Sequence, residues 1–198
     1  MTRRRFLCLG VAGTALLALT GHTPYRQWKV YRRKHLLIGS CRTDPPSYAL
    51  AQRIAETLVR WLPESSARAS RAPDQRRIAS LLASDQWQVS VLSRGDAADL
   101  AAGRGLFDTV GPLPLRSVFA MGNHLLVCRL EFPFRHAWLV AATLTENAAA
   151  VPDGQPAEIG DGTVPVHPGA SAYAAGVPLP PVPREDESGF EPGHPHTR

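Results

Sequence analysis

From residue 36 to residue 148, short apolar runs alternate with stretches of helical periodicity. Few protein folds are compatible with this alternation. The run LLIG at 36–39 is typical of a buried strand, and WQVSVL at 87–92 alternates as a strand does. One face of that second strand is formed by Trp87, Val89 and Val91. The stretch 48–62 predicts a helix with an apolar face formed by Leu50, Ile54, Leu58 and Trp61. Strands that alternate with helices predict an α/β fold with a mostly parallel sheet.

Prolines mark where the first two predicted helices begin. Pro45 and Pro46 exclude a helix until after them, so Ser47 is the predicted N-cap of the first helix. Pro73 and Asp74 suit the first turn of the second helix, QRRIASLLAS. The inward-facing residues of that second helix are Ile78, Leu81 and Leu82.

Weaker patterns fill the rest of the region. SARASRA at 66–72 is a polar strand candidate, and GDAADLAAGRG at 95–105 predicts a short helix that ends at one of its last two glycines. Residues 114–130 predict one or two strands with a break at Gly122-Asn123, and residues 137–151 predict a final helix.

The N-terminus has the pattern of an export signal. Arg3 to Arg5 form a positive region, and a 16-residue stretch without charge runs from Phe6 to Gly21. That length suits an export signal better than a full membrane span, which needs about 20 residues. T-R-R-R-F-L resembles a twin-arginine signal, with Arg3 and Arg4 as the pair and Phe6 and Leu7 after them. The alternative is a buried helix of a soluble protein, which would need partners on all faces.

The segment that follows favours an uncleaved anchor over a cleaved signal. Ala18 and Thr20 make only a poor small-x-small cleavage site, and five basic residues lie within 22–35. Positive charge on the far side of an export segment opposes translocation, whereas Tyr25, Trp28 and Tyr31 suit a membrane interface. We therefore predict attachment to the periplasmic side of the inner membrane, or release into the periplasm if the signal peptide is cleaved.

The charge distribution argues against a nucleic-acid partner. The formal charge is +5, but residues 1–34 hold eight of the 22 basic residues and no acid. The remaining 164 residues hold 14 basic and 17 acidic side chains, which gives a formal charge of −3. The excess of basic residues at the N-terminus therefore indicates an interaction with the membrane rather than with nucleic acid.

Proline and glycine dominate the end of the chain. The last 48 residues hold 10 of the 18 prolines and 7 of the 16 glycines. This composition predicts a loop without regular elements over 149–178 and a disordered tail over 179–198. PLPPVP at 178–183 is polyproline-like and fits either a stiff spacer or a docking ligand.

Motifs for catalysis or metal binding are scarce. The chain has no G-x-S-x-G, H-E-x-x-H, C-x-x-C or phosphate-binding glycine loop. His194 and His196 are too few for a metal site. His124 is interpreted as a hydrogen-bonded packing residue rather than a base, and loop carboxylates such as Asp44 are interpreted as helix caps. We therefore predict no catalytic residues, no metal and no cofactor, and a protein that is not an enzyme.

The three cysteines allow one disulfide in the exported part. Cys8 lies in the apolar N-terminal segment, which leaves Cys41 and Cys128. An oxidising compartment would permit a bond between them, and two buried free thiols are the alternative.

Two stretches resemble the TAXI group of TRAP-transporter solute receptors. The first is LLIGSCRTDPPSYALAQRIAETL at 36–58, where a strand leads through a loop and an aromatic residue into a helix. The second is VPVHPGASAYAAG at 164–176, which resembles the family's P-x-H-P-G-A signature. The signature falls on His167, Pro168, Gly169 and Ala170. Less specific similarity links these stretches over most of 36–176.

The resemblance implies a periplasmic-binding-protein-like fold with two hinged α/β lobes. It implies a small carboxylate or amino-acid ligand passed to a TRAP-type permease, with Ser40, Tyr48 and Ser93 as ligand-binding residues. The chain departs from the family in three places. CRTDP replaces the family's glycine loop, and APDQRRI replaces its Gly-Ser and Asn pattern ahead of the second helix. NHLLVCR leads almost directly to the last predicted helix, where a whole second lobe should lie. The prediction is therefore a single receptor-like lobe.

These features predict a membrane-associated extracytoplasmic protein that resembles a solute receptor and has weakened or lost ligand binding. The alternative is a non-catalytic scaffold or accessory subunit that binds a membrane partner. The predicted parts are an export signal or anchor at 1–21, a basic juxtamembrane segment at 22–35, the α/β lobe at 36–148, the extended segment at 149–178 and the tail at 179–198.

Overall fold

A computed structural model of the protein describes residues 35–156, 164–179 and 181, and within these residues the chain forms an α/β fold around one six-stranded sheet. The strands lie in the order β2-β1-β3-β5-β4-β6. They are β1 Leu37–Cys41, β2 Arg68–Ala72, β3 Val89–Ser93, β4 Leu115–Met121, β5 His124–Arg129 and β6 Gly154–Pro156. The predicted export signal with Arg3, Arg4, Phe6 and Leu7 lies outside the described residues, as does most of the predicted tail.

The sheet is mixed, and its parallel part lies at one edge. β1 pairs in parallel with β2 and β3, whereas β5 is antiparallel to β3 and β4, and β6 is antiparallel to β4. The α/β prediction is therefore confirmed, but the parallel arrangement holds for only part of the sheet. The turn at Gly122, whose φ of +53° is readily adopted by glycine, joins β4 and β5 as an antiparallel hairpin. The second strand of this hairpin, β5, pairs with β3.

Five helices in the described residues cover both faces of the sheet. They are α1 Pro45–Trp61, α2 Gln75–Ala83, α3 Arg94–Ala102, α4 Phe134–Glu146 and α5 Pro168–Ala174. One buried core joins α1, α4 and α5 to the first face, and a second core joins α2 and α3 to the other face. The sheet therefore separates two apolar layers, as its alternating side chains require.

The predicted apolar face of α1 is confirmed at Ile54 and Leu58, which are fully buried. Trp61 is an error of prediction, since 56% of it is exposed on the last turn. The start of α1 also differs, because the helix begins at Pro45 rather than after Pro46. A proline fits this first turn because its missing N–H would have no partner within the helix.

Trp87 corrects a second prediction. It precedes β3 and lies in the second core, whereas Val89 and Val91 face the first core. Its ring packs over Gly39 in the middle of β1. An added Cβ at residue 39 would lie 2.3 Å from Cε3 of Trp87, so the glycine provides the space that the indole ring occupies.

The segment after Val151 contains regular elements, contrary to the prediction of an extended segment over 149–178. Gly154–Pro156 forms β6 and Pro168–Ala174 forms α5, so the helix predicted over 137–151 is not the last one. β6 lies at the edge of the sheet, where a proline can be tolerated without breaking a ladder hydrogen bond. In α5, Pro168 occupies the first turn, which needs no N–H donor.

The two cysteines of the described residues are free and buried. β3 separates their strands, which places the strands about 10 Å apart, and the two side chains belong to different cores. This separation excludes the disulfide and confirms the alternative of buried thiols. Burial raises the pKa of the Cys128 thiol to about 12, and the charge of Arg116 opposes this shift.

Within the part of the chain that the structure describes, no helix has the length and apolar character needed to cross a membrane.

We expect Gly39→Ala to lower the free energy of unfolding by about 1–3 kcal/mol, the usual effect of overpacking a core. The new methyl group would collide with the Trp87 ring and approach Oγ of Ser90 to 2.8 Å. Urea denaturation followed by circular dichroism measures the change.

Gly95→Ala is the matched control, because the nearest atom to its added Cβ is 4.0 Å away. Gly95 lies inside α3, where alanine is favoured by up to about 1 kcal/mol, so this variant should be at least as stable as the native chain. Equal losses of stability in both variants would contradict the packing argument.

Candidate functional site

The candidate site is the carboxyl edge, defined here as the edge of the sheet where β1, β2 and β3 end and where α1, α2 and α3 begin. α1 follows β1 on one face of the sheet, and α3 follows β3 on the other face. The chain therefore diverges after these two neighbouring strands, and we call the space between their ends the crevice. In open α/β sheets, ligands bind at such a divergence of the connections.

A side-chain hydrogen bond between Asp44 and His124 lies at this crevice. Asp44 is in the loop after β1, and His124 begins β5, where it pairs in register with Ser93 of β3. Nε2 of His124 donates to Oδ2 of Asp44 at 3.0 Å. Only 12% of the His124 side chain and 19% of the Asp44 side chain are exposed. The pair therefore links the β1–α1 loop to β5 across the end of β3.

Ser40 has no hydroxyl available at this edge. It is fully buried, and its Oγ donates to the backbone carbonyl of Ser70 at 2.7 Å. That bond joins β1 to the neighbouring strand β2. Ser40 therefore stabilises the pairing of β1 with β2, and a ligand could not reach its hydroxyl without a change in that pairing.

Tyr48 lies in the first half of α1 and is partly exposed. The guanidinium carbon of Arg71 is 4.0 Å from the centre of the Tyr48 ring, within the range of a cation–π interaction. Arg71 belongs to β2, so this contact ties α1 to the outer strand of the parallel part. One face of the Tyr48 ring is therefore already covered.

Ser93 is the N-cap of α3. Its Oγ accepts from the backbone N–H of Asp96 at 3.0 Å and donates to Oδ2 of Asp96 at 2.9 Å. Both functions of the hydroxyl are thus used inside the fold. Ser40, Tyr48 and Ser93 all lie at the carboxyl edge, but each one has an internal partner.

At the starts of α1 and α2, few backbone N–H groups are likewise left for a ligand. Pro45 and Pro46 have no N–H, and Oγ of Ser47 accepts from the backbone N–H of Cys41 at 3.0 Å. At α2, the Asp74 carboxylate accepts from the backbone N–H of Arg77 at 2.8 Å. Backbone amides at helix starts are the groups that bind anionic ligands, and here the fold itself occupies several of them.

The HPGA signature lies far from the carboxyl edge, where α5 packs against the start of α4. His167 is the N-cap of α5: Nδ1 accepts from the backbone N–H of Gly169 at 3.0 Å, and Nε2 donates to the carbonyl of Phe132 at 2.9 Å. An added Cβ at Gly169 would stand 2.2 Å from the Phe134 carbonyl oxygen. The signature therefore docks one helix onto another.

Burial lowers the pKa of His167, and the charge of Arg116 acts in the same direction. The hydrogen bond to the Phe132 carbonyl opposes these effects because it favours the protonated ring. The two hydrogen bonds of His167 define a neutral imidazole with its proton on Nε2, since Nδ1 must accept from Gly169. Protonation of Nδ1 would break the cap of α5.

The Asp44–His124 pair is the feature that the sequence analysis missed. The interpretation of His124 as a hydrogen-bonded packing residue agrees with its contact, but its partner Asp44, predicted to be a helix cap, makes no side-chain cap bond. Eighty residues separate the two partners, and no local pattern connects them. Within the described ranges, no cluster of three or more His, Cys, Asp or Glu side chains could hold a metal ion.

The fold and the carboxyl edge define an α/β protein whose crevice at the ends of β1 and β3 is bridged by its own side chains. No protein-family model matches the chain, and no curated protein matches its sequence. What the chain does must therefore be argued from the contacts of the edge itself.

We expect His124→Ala to lower the free energy of unfolding by about 2 kcal/mol, because it removes a hydrogen bond to a charged group and leaves Asp44 without its partner. A double-mutant cycle with Asp44→Ala should give a coupling energy of at least about 0.5 kcal/mol.

The Arg104–Asp99 pair is the control, since it is exposed on both sides and its atoms lie 3.4 Å apart. Its coupling energy should be smaller than that of the Asp44–His124 pair, because solvent screens exposed ion pairs. Strictly additive effects at residues 44 and 124 would contradict the bridging role.

We expect the native chain to lose stability below about pH 6.5 because of His167. The pKa of His167 is lower in the folded state than in the unfolded state, so the unfolded chain binds more protons in this range. The free energy of unfolding therefore rises with pH by at most about 1.4 kcal/mol per unit, and this contribution is fully present above pH 6.5.

Urea denaturation at several values between pH 5 and pH 7.5 measures this slope for the native chain and for His167→Asn. Asparagine can still cap α5 but does not titrate, so its curve should be flatter. Parallel curves for the two proteins would show that His167 does not carry the effect.

Proposed function

We propose that the protein is a membrane-associated extracytoplasmic protein of the TRAP/TAXI receptor type, reduced to one lobe, in which solute binding at the carboxyl edge has been lost. The observation that carries the proposal is the Asp44–His124 pair at the crevice between β1 and β3. A solute in this crevice would have to displace a largely buried hydrogen bond, and a buried polar group left without its partner is costly.

The size of a single lobe supports the loss of solute binding. Small-molecule sites usually bury about 70–90% of the ligand surface, and hinged receptors do so by closing two lobes around it. One lobe offers half of these contacts. The binding free energy of a micromolar site is about 8 kcal/mol. Half of that value corresponds to a Kd near the millimolar range.

The chemistry of the edge supports the same conclusion. The three residues that the resemblance assigns to a ligand are Ser40, Tyr48 and Ser93, and all three have partners within the fold. The loop that would present backbone amides to a carboxylate contains Pro45 and Pro46, which have none. A transported carboxylate or amino acid therefore has few groups left to bind. The proposed role is non-catalytic.

The position at which the chain reaches β1 predicts how the lobe is oriented relative to the membrane. His35 precedes β1 and lies at the amino edge, the edge opposite to the carboxyl edge. In the proposal, residues 1–34 attach the lobe to the inner membrane from this side. The carboxyl edge then faces away from the membrane, and the amino edge faces a TRAP-type permease or another membrane protein.

A second candidate function, a scaffold or accessory subunit, is favoured by apolar side chains exposed at the amino edge. Trp61 at the end of α1 is 56% exposed, and Leu130 after β5 is 47% exposed. The guanidinium of Arg60 lies 5.2 Å from the centre of the Trp61 ring. Tryptophan and arginine side chains are enriched in protein–protein interfaces.

We expect cell fractionation to find the full chain in the inner membrane, with its lobe accessible to protease only from the periplasmic side. The double variant Arg3→Lys and Arg4→Lys should accumulate in the cytosol, because a twin-arginine signal requires the pair. Arg5→Lys is the matched control and should be exported normally.

A native chain that stays soluble in the cytosol would contradict the proposed localisation.

The loss of solute binding is tested by isothermal titration of the purified full chain with amino acids and dicarboxylates. We expect no saturable binding below about 1 mM, and a micromolar Kd for any of these solutes would contradict the proposal.

A further inference from the structure

A cavity of about 240 Å³ opens at the amino edge, between the end of α1 and the start of α4. Its apolar walls are formed by Leu36, Leu62, Phe132, Leu139 and Val140. The cavity lies at the opposite end of the strands from the crevice that carries the proposed function, since Leu36 precedes β1 and Phe132 follows β5. It is therefore a separate site.

Polar side chains from several segments also line the cavity. Arg135 and His136 from the first turn of α4 contribute cationic or hydrogen-bonding side chains, against one acid, Glu64. Ser65 also lines the cavity, and its Oγ is buried without a hydrogen-bond partner among the described residues. A buried hydroxyl without a partner is uncommon and costs free energy unless something binds it.

The apolar wall is built in advance of any ligand. Phe132 is 5% exposed, and the centre of its ring lies 6.0 Å from that of His136 and 6.1 Å from that of His167. His167 is itself fixed by its bond to the Phe132 carbonyl. A ligand would therefore meet a preformed surface and would not have to order it, which favours affinity.

We propose that this cavity binds a small monocarboxylic acid with an aromatic or short aliphatic body. Its volume corresponds to roughly eight water molecules at about 30 Å³ each, so it is smaller than sites for drug-sized ligands. The carboxylate binds Arg135 and Ser65, because a guanidinium and a hydroxyl both donate to a carboxylate. The apolar body packs against Phe132 and Leu139. The inference does not depend on export or on the receptor resemblance.

The test uses the full chain in phosphatidylcholine nanodiscs and 4-fluorobenzoate as the probe, with binding followed by ¹⁹F NMR and empty nanodiscs as the blank. We expect saturable binding with a Kd on the order of 1 mM, a value typical of so small a ligand. 4-Fluorobenzyl alcohol has nearly the same shape without the charge, and it should bind about tenfold more weakly because it lacks the charge-assisted hydrogen bond.

Two variants locate the site. Leu139→Trp fills the cavity and should abolish binding, and Arg135→Gln removes the charge and should weaken binding about tenfold. Arg53→Gln is the matched control, because Arg53 is an exposed arginine of α1 outside the cavity, and it should leave the Kd unchanged. Tyr48→Ala at the carboxyl edge should also leave the Kd unchanged.

Absence of saturable binding to the native chain overturns the inference, including the case in which another part of the chain fills the cavity. A folded Leu139→Trp variant with native affinity overturns it as well, as does a loss of binding in Tyr48→Ala. If Leu139→Trp fails to fold, as judged by its thermal unfolding, an unchanged Kd in Arg135→Gln decides against the site.

Discussion

Backbone amides at the start of a buried helix need hydrogen-bond partners, and in this protein the fold supplies several of them at one edge of the sheet. Ser93 caps α3, Asp74 caps α2, and two prolines remove donors from the start of α1. A receptor that binds an anionic solute leaves such donors for its ligand. Here several of these donors already have partners within the fold.

The two edges of the sheet therefore have different characters. The carboxyl edge is joined by contacts between loops and neighbouring strands, of which the Asp44–His124 pair spans the greatest distance along the chain. The amino edge carries exposed Trp61 and a preformed cavity beside Phe132. A functional-site search directed only to the usual position in an α/β sheet would have missed this second edge.

The sequence predicted the elements better than their partners. Periodicity placed Ile54, Leu58, Ile78 and Leu82 in the core because a helix repeats every 3.6 residues whatever surrounds it. It failed for Trp61 and Trp87, which lie at element ends where the pattern no longer fixes the direction of a side chain. The insertion of β5 beside β3 and the Asp44–His124 pair depend on tertiary contacts, which a local pattern does not contain.

The outer strands of the sheet limit how copies of this chain can associate. β2 is five residues long and presents Arg68 and Arg71 to solvent, and β6 has three residues and ends in Pro156. Charged side chains, short length and proline all discourage the addition of a further strand. Two copies therefore cannot readily fuse their sheets into one continuous layer, and any substitute for an opposing lobe would have to come from a different kind of contact.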